Sequence, residues 1–370
     1  MNLREAERFL AALADVRASG GRAAVATVVR VHGSAYRREG ARMLVRPDGT
    51  YECALSGGCL EPAVATAAAG VIATGEPATV SYDLADDSIW SLNVGCSGAV
   101  DIHIERLEDD EVTTAWLDVL GRGEAAVLVT PLSGTSGRRI VFASGTAVGH
   151  LAGPSLDRDA DARAREMLAT REAQSAAERF GDVELFFEVN VPPIELVVFG
   201  AGQDAVPLAR LAWSLGLAVT VVDPRSAYLQ PDLFHGARLV LTGFDALPAA
   251  LALRPGSFVV VMGHHMERDR QALRFALEAE PAYIGVLGPR ARYEKLLDQL
   301  KADGVVPSAD MLARVHSPIG LSLGAETADE VALSILAEIL AVIRGFEGGF
   351  LKGTTGSLHR PAATRTFARS

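Results

Sequence analysis

Leu196-Val197-Val198-Phe199-Gly200-Ala201-Gly202-Gln203-Asp204-Ala205 decides how the second half of the chain folds. An apolar strand runs into a glycine turn that opens a helix, the G-x-G-x-x-A order of a dinucleotide-binding crossover. Asp223 follows Gly202 by 21 residues, at the end of the next apolar run, where a carboxylate would meet a ribose hydroxyl. Further strands are expected at Ala218–Val222, Arg238–Leu241, Phe258–Met262 and Tyr283–Leu287. They alternate with helices near residues 203–215, 267–279, 290–303 and 328–344. Such alternation makes a Rossmann-like, doubly wound parallel sheet. Thr327-Ala328-Asp329-Glu330 opens the last helix in a capping-box pattern.

Ligands of open α/β sheets sit beyond the carboxyl ends of the strands. The candidate nucleotide contacts are therefore Gly200, Gly202, Asp223, Arg225 and His264. A solvated arginine or a satisfied histidine is the competing reading of the last two. Asp204 lies in the first helical turn, where it either compensates the helix dipole or opposes a bound pyrophosphate. His264 and His265 are neighbours whose side chains point apart, a poor pair for a metal.

Val191-Pro192-Pro193 marks a boundary, because two prolines withhold backbone donors where the pattern changes. Residues 1–190 are expected to form a mixed α/β domain, 194–345 the Rossmann-like domain and 346–370 a loose basic tail. In the first half, Leu3, Ala6, Phe9, Leu10, Leu13 and Val16 recur at helical spacing, with Gly20-Gly21 as the stop. Ala23–Val31 reads as a buried strand, and Arg42–Arg46 with Tyr51–Leu55 as a hairpin around Pro47-Asp48-Gly49. An alanine-rich helix follows over Leu60–Ala73, and a strand over Val80–Leu84. Ile102 and Ile104 alternate with Asp101, His103 and Glu105, which predicts a strand with one face exposed. Strands at Ala125–Thr130, Arg139–Phe142 and Val183–Val189 and a helix over Leu156–Arg171 complete this half.

Two short loops, Ser56-Gly57-Gly58-Cys59 and Gly95-Cys96-Ser97-Gly98, set a sulfur beside unhindered backbone. The first leads into the helix at Leu60, where unpaired N–H groups and the positive helix end favour thiolate and can hold an anion. A tight turn with a buried thiol is the alternative. Cys53 is placed mid-strand and expected to be merely packed. Three cysteines cannot build a disulfide framework, and the odd count fits a reducing cytoplasm. They also cannot supply the roughly four cysteines that an iron–sulfur cluster takes. A net charge of −11 argues against nucleic acid as the main partner. No apolar run is long enough to span a bilayer, and MNLREAERFL is an amphipathic start unlike a signal peptide. With 370 residues, the chain has room for two separately buried cores.

The first-half motifs stand in a fixed order. Gly33-Ser34-Ala35-Tyr36-Arg37-Arg38-Glu39-Gly40-Ala41-Arg42-Met43 precedes Ser56-Gly57-Gly58-Cys59-Leu60-Glu61, and Val94-Gly95-Cys96-Ser97-Gly98 follows. With the glycine turn and the late His316-Ser317-Pro318-Ile319-Gly320-Leu321 and Gly324-Ala325-Glu326-Thr327, this order resembles the XdhC/CoxI family. Those are accessory proteins of xanthine-dehydrogenase-type molybdoenzymes. The resemblance implies a carrier that binds molybdenum cofactor (molybdopterin), assists its sulfuration and inserts it into such an enzyme. It also implies a cysteine desulfurase as a further partner, and a homodimer. Under it, Cys59 and Cys96 become the reactive residues and Cys59 the candidate metal ligand. Arg37, Arg38 and Arg42 would offer charge-assisted hydrogen bonds, and Ser56, Gly57 and Gly58 would cradle the phosphate. A solvated face is the alternative for the arginines.

Tyr36 stands where the family pattern carries proline, Gln203 for histidine, Ala205 for glycine, Gly263 for threonine and Pro289 for serine. Most of these departures gather in the second domain. Two other functions stay open: an NAD(P)-dependent oxidoreductase using Gly200–Gly202, or a non-catalytic scaffold with a vestigial nucleotide site.

Overall fold

The computed structural model describes residues 1–33, 35–83, 98–133, 136–170 and 174–352, and the chain divides into two compact units with the boundary between Pro192 and Pro193. The second cysteine loop, with Cys96, and the tail from residue 353 lie outside the described residues.

The first unit holds two five-stranded antiparallel sheets. One is built from β1 (Ala24–Gly33), β2 (Arg42–Val45), β3 (Tyr51–Glu52), β4 (Ala78–Asp83) and β5 (Gly98–Arg106), in the order β3-β2-β1-β5-β4. The other comprises β6 (Ala126–Pro131), β7 (Arg139–Phe142), β8 (Ala147–Gly149), β9 (Ala176–Phe180) and β10 (Val183–Asn190), in the order β8-β7-β6-β10-β9. Helix α1 (Leu3–Ala18) and α3 (Glu111–Arg122) share a core with both sheets, Phe9 meeting Trp116 edge-on at 5.5 Å between ring centres. Helix α2 (Glu61–Thr74) lays Val64, Ala65, Ala68 and Val71 on Ala26, Val28, Met43, Ile102 and Ile104. That three-and-four spacing turns one stripe of the helix inward. Helix α4 (Pro154–Thr170) covers the second sheet.

The expectation that Asp101 and His103 face solvent is overturned, since both are buried. Each carries its own partners: Ser81 donates to Asp101 at 2.6 Å and Arg30 at 3.0 Å, while Thr79 meets His103 Nδ1 at 2.9 Å. Burial holds the His103 imidazole below its ordinary range. Period-two alternation reports two different faces, and here the polar one is lined with hydrogen bonds instead of water.

The second unit is the Rossmann-like parallel sheet. Its strands are β11 (Glu195–Phe199), β12 (Ala218–Asp223), β13 (Arg238–Leu241), β14 (Phe258–Val261), β15 (Tyr283–Val286) and β16 (Val315–His316). They lie in the order β13-β12-β11-β14-β15-β16, all pairs parallel. Helices α5 (Ala205–Ser214) and α10 (Ala328–Arg344) cover one face. Helices α7 (Met266–Ala279) and α8 (Arg290–Ala302) cover the other, with two one-turn helices, α6 (Leu247–Ala250) and α9 (Ala309–Leu312), between strands. Strands covered on both faces read as continuous apolar runs, which is why this half was plain from sequence. The capping box of α10 is present, Thr327 N–H donating to Glu330 at 2.9 Å. Chain order reverses between β11 and β14, so the crevice beyond their carboxyl ends is the switch point.

Candidate functional site

In the first unit the loop between β3 and α2 is held by its own residues. Glu61, one per cent exposed, turns back under the loop and accepts from the Leu55 N–H at 2.9 Å and the Ser56 N–H at 2.7 Å. The Ser56 hydroxyl donates to the same carboxylate at 2.6 Å. That oxygen then accepts from the N–H groups of Gly58 and Leu60, both at 3.2 Å. Burial pushes the Glu61 carboxyl upward, but these donors outweigh it and hold the group below the usual carboxylate range. The expected anion cradle is thus half spent within the loop. Ser56 takes up two of the amides, and Pro62 supplies none. Among the described residues the N–H groups of Gly57 and Cys59 take no protein acceptor. Gly57 and Gly58 are exposed, and a Cβ on either would meet nothing within 4 Å.

The Cys59 thiol, half-buried on the α2 core, lies 3.4 Å from the Ser56 hydroxyl oxygen, to which it donates. Cys53 contrasts with it. It sits just past β3, not within a strand as expected, with a left-handed φ of 65° and its thiol 3.5 Å from the Glu5 carbonyl oxygen. Burial pushes the Cys53 thiol up to about 11.

The three arginines are not a common face. Arg42 is buried, paired with Glu188 of β10 and stacked over Trp116 at 4.4 Å. Burial pulls its guanidinium down to about 9, and Arg138 with Glu105 lines the same small cavity. Its expected role in ligand binding is corrected: it ties the two sheets together from inside. Arg37 is turned to Glu5 of α1 at 2.7 Å. Arg38 stays exposed, 3.4 Å from Glu39.

In the second unit, Gly200 has φ 112°, and a Cβ there would stand 2.7 Å from both the Gly263 Cα and the Met262 carbonyl oxygen. The turn is therefore pressed against the loop after β14. Asp204 is not a helix cap by its side chain; it reaches His264 Nε2 at 2.6 Å. His264 itself holds a left-handed φ of 54°. Asp223, one per cent exposed, accepts from the Ala201 N–H at 2.8 Å and from the Arg225 N–H, Nε and Nη2 at 2.9, 2.8 and 2.8 Å. Burial raises its carboxyl, and the Arg225 hydrogen bonds more than reverse this. The expectation that Asp223 receives a ribose hydroxyl is corrected, because its acceptor sites are filled from within.

Three internal braces, at Glu61, Asp269 and Glu338, were not expected from the sequence, which offered Asp269 and His316 only as polar groups at the carboxyl edge of the sheet. Glu61 stood in the quoted motif without a role, and its place six residues after Leu55 was the available signal. Asp269, buried, holds the Gly263 N–H at 3.0 Å and Arg292 at 2.5 Å. Glu338 gathers Tyr283, His316 at 3.3 Å and the Gly320 N–H at 3.2 Å. The Asp269–Arg292 and Glu338–Tyr283 pairs join segments far apart in the chain and carry no local pattern. Among the described residues, no three His, Cys, Asp or Glu side chains cluster as a metal site. No described helix is long and apolar enough to cross a membrane.

Comparison with known proteins follows the same two units. Residues 16–83 match the family described as XdhC and CoxI, and residues 196–339 the family described as XdhC Rossmann domain. A Bacillus subtilis (strain 168) protein named as a probable xanthine dehydrogenase subunit is 32% identical over 326 residues, 86% of this chain and 92% of that protein. The molybdenum cofactor insertion chaperone PaoD of Escherichia coli (strain K12) is 26% identical over 328 residues, 88% of this chain and 84% of that one. A crystal structure of a xanthine dehydrogenase from Bacillus halodurans superposes with a TM-score of 0.75 at 28% identity, covering 91% of this chain and 96% of that chain.

Proposed function

The chain belongs to the XdhC and CoxI family, and from that membership we propose that it is a cytoplasmic accessory protein that carries molybdenum cofactor and inserts it into a xanthine-dehydrogenase-type molybdoenzyme. The relative named as an insertion chaperone supports the role, and one observation on this chain carries the place. In the Ser56–Leu60 loop, two exposed glycines face open space beside a half-buried thiol, with the amides of Gly57 and Cys59 unspent. The cargo fits that chemistry. Its phosphate suits backbone N–H donors and its metal a soft sulfur ligand. Arg38 is the exposed member of the three arginines and the one left to meet the cargo's charge.

Sulfuration belongs to the same reading. While the cofactor is held, a sulfido ligand replaces an oxo ligand, which leaves as water. A cysteine desulfurase supplies the sulfur as a persulfide, and a thiol reductant supplies the two electrons that sulfane sulfur needs to become sulfide. Cys59 acts as ligand or relay, Cys96 as its companion, and the carrier works as a homodimer.

The test is to purify the protein anaerobically from cells making the cofactor and to assay released molybdopterin. Bound cofactor in the wild type, and its loss in Cys59→Ala, is the expected result. Cofactor-free protein, together with full activity of the partner enzyme in a deletion strain, would overturn the proposal.

A further inference from the structure

The carboxyl edge of the second unit's parallel sheet holds a charge arrangement that the carrier reading does not use. Where a dinucleotide site commonly presents a carboxylate to a free ribose diol, this chain presents an arginine. All four hydrogen bonds on Asp223 come from the protein, so a diol arriving there finds no acceptor. Arg225 spends Nε and Nη2 on Asp223 and lies 3.8 Å over the Tyr228 ring. Its Nη1 takes no protein acceptor among the described residues, and its side chain is 32% exposed. Both neighbours fix the guanidinium, so it meets a ligand without first losing rotamer freedom. The exposed hydroxyl of Ser226 stands next in the chain. The strand that ends here is the second of a sheet whose order and glycine turn are those of a dinucleotide fold.

We propose that the second unit binds a ribonucleotide whose ribose carries a phosphate monoester, with Arg225 selecting it over the free diol. Two common sources share that chemistry: the 2′-phosphate of an NADP-type dinucleotide and the 3′-phosphate of a coenzyme-A-type one. The phosphate meets the free edge of Arg225, and the buried Asp223 keeps that edge turned outward. The proposal stands apart from the carrier reading and neither needs nor weakens it.

The experiment is titration calorimetry on the full chain with NADP+, NAD+, coenzyme A and dephospho-coenzyme A at one ionic strength. The phosphorylated member of at least one pair binds tenfold or more tightly than its counterpart, and the pair that shows this names the source. Arg225→Met removes the preference by weakening the phosphorylated ligand tenfold while leaving the other unchanged. Because that change strands Asp223 in the interior, the double variant Asp223→Asn/Arg225→Met is run beside it and must also lose the preference. Equal affinities within both pairs, absence of heat with all four ligands, or a preference that survives in a folded double variant would each overturn the inference.

Discussion

At Gly200 an added Cβ would stand 2.7 Å from the Gly263 Cα, whereas at Gly57 and Gly58 it would meet nothing within 4 Å. Both glycine-bearing loops turn a strand into a helix, yet the surroundings ask different things of the residue. The turn of the second unit needs glycine so that two backbones can touch and φ can reach 112°. In the loop of the first unit Gly58 is kept for its own φ of 110°, whereas Gly57 stands where neither packing nor backbone demands glycine, and both have open space in front. A carboxylate serves each loop as well. Glu61 lies under the first and Asp223 under the second, and both are turned inward to hold backbone amides. The lesson is that a glycine-rich motif signals ligand only where the missing side chain leaves room on the solvent side.

Gly200→Val tests the packed side of that contrast. A Cβ inside backbone contact distance and a left-handed φ together cost about 3 kcal/mol or more. Thermal unfolding should show the second unit melting early while the first retains its transition. An unchanged melting profile would remove the argument that this turn is shaped by packing.

Glu61→Ala probes the brace under the open loop. It leaves the buried Leu55 and Ser56 donors without an acceptor, about 2–3 kcal/mol, or a fall of about 6 °C in melting temperature. The pH dependence has a definite sign. Because the folded carboxyl sits below its ordinary value, its stabilisation is full above the unfolded value of about 4.3 and disappears as pH falls through the folded one. Glu61→Gln should flatten the acid limb of the stability curve. A limb as steep in Glu61→Gln as in the wild type would show the carboxylate is not what titrates there.

Five strands of the second unit were legible because parallel strands buried on both faces print as apolar runs such as Leu196–Phe199 and Phe258–Val261, while the short β16, α6 and α9 went unread. Antiparallel sheets gave a weaker print. The alternation around Asp101 and His103 was visible, but nothing local says that Thr79, Ser81 and Arg30 wait on the other side. Helix α3 went unread although Asp110 caps it, Gly123 ends it, and Val112, Trp116, Val119 and Leu120 recur at helical spacing. The turn at Ser56–Cys59 ahead of α2 was read from sequence. The inward turn of Asp223 was not, although its partner Arg225 stands two residues on, and that of Arg42 was not, since a charged residue's partner can lie anywhere in the chain. Glu188 is far from Arg42 in sequence, and only the pairing of two sheets brings them together.

Thiol reactivity separates the two described cysteines. With its thiol pushed up to about 11, Cys53 is almost wholly protonated near neutral pH and should resist iodoacetamide at pH 8. Cys59 should be alkylated at least tenfold faster, read by peptide mass spectrometry. Partner activation should follow the same order, Cys59→Ala losing most of it and Cys53→Ala little. Equal labelling, or equal loss in the two variants, would show that the loop gives its sulfur no special standing.

The smallest change in stability carries the finest test. Gly57 has no steric neighbour and no left-handed φ, so Gly57→Ala should keep the melting temperature and shift stability by no more than about 0.5 kcal/mol. The methyl group nevertheless occupies the space through which a ligand would reach the Gly57 and Cys59 amides. A variant as stable as the wild type that retains less molybdopterin on purification places the cargo against this backbone. Equal retention in Gly57→Ala would move the cargo elsewhere, leaving Gly57 with no purpose that packing or backbone can supply.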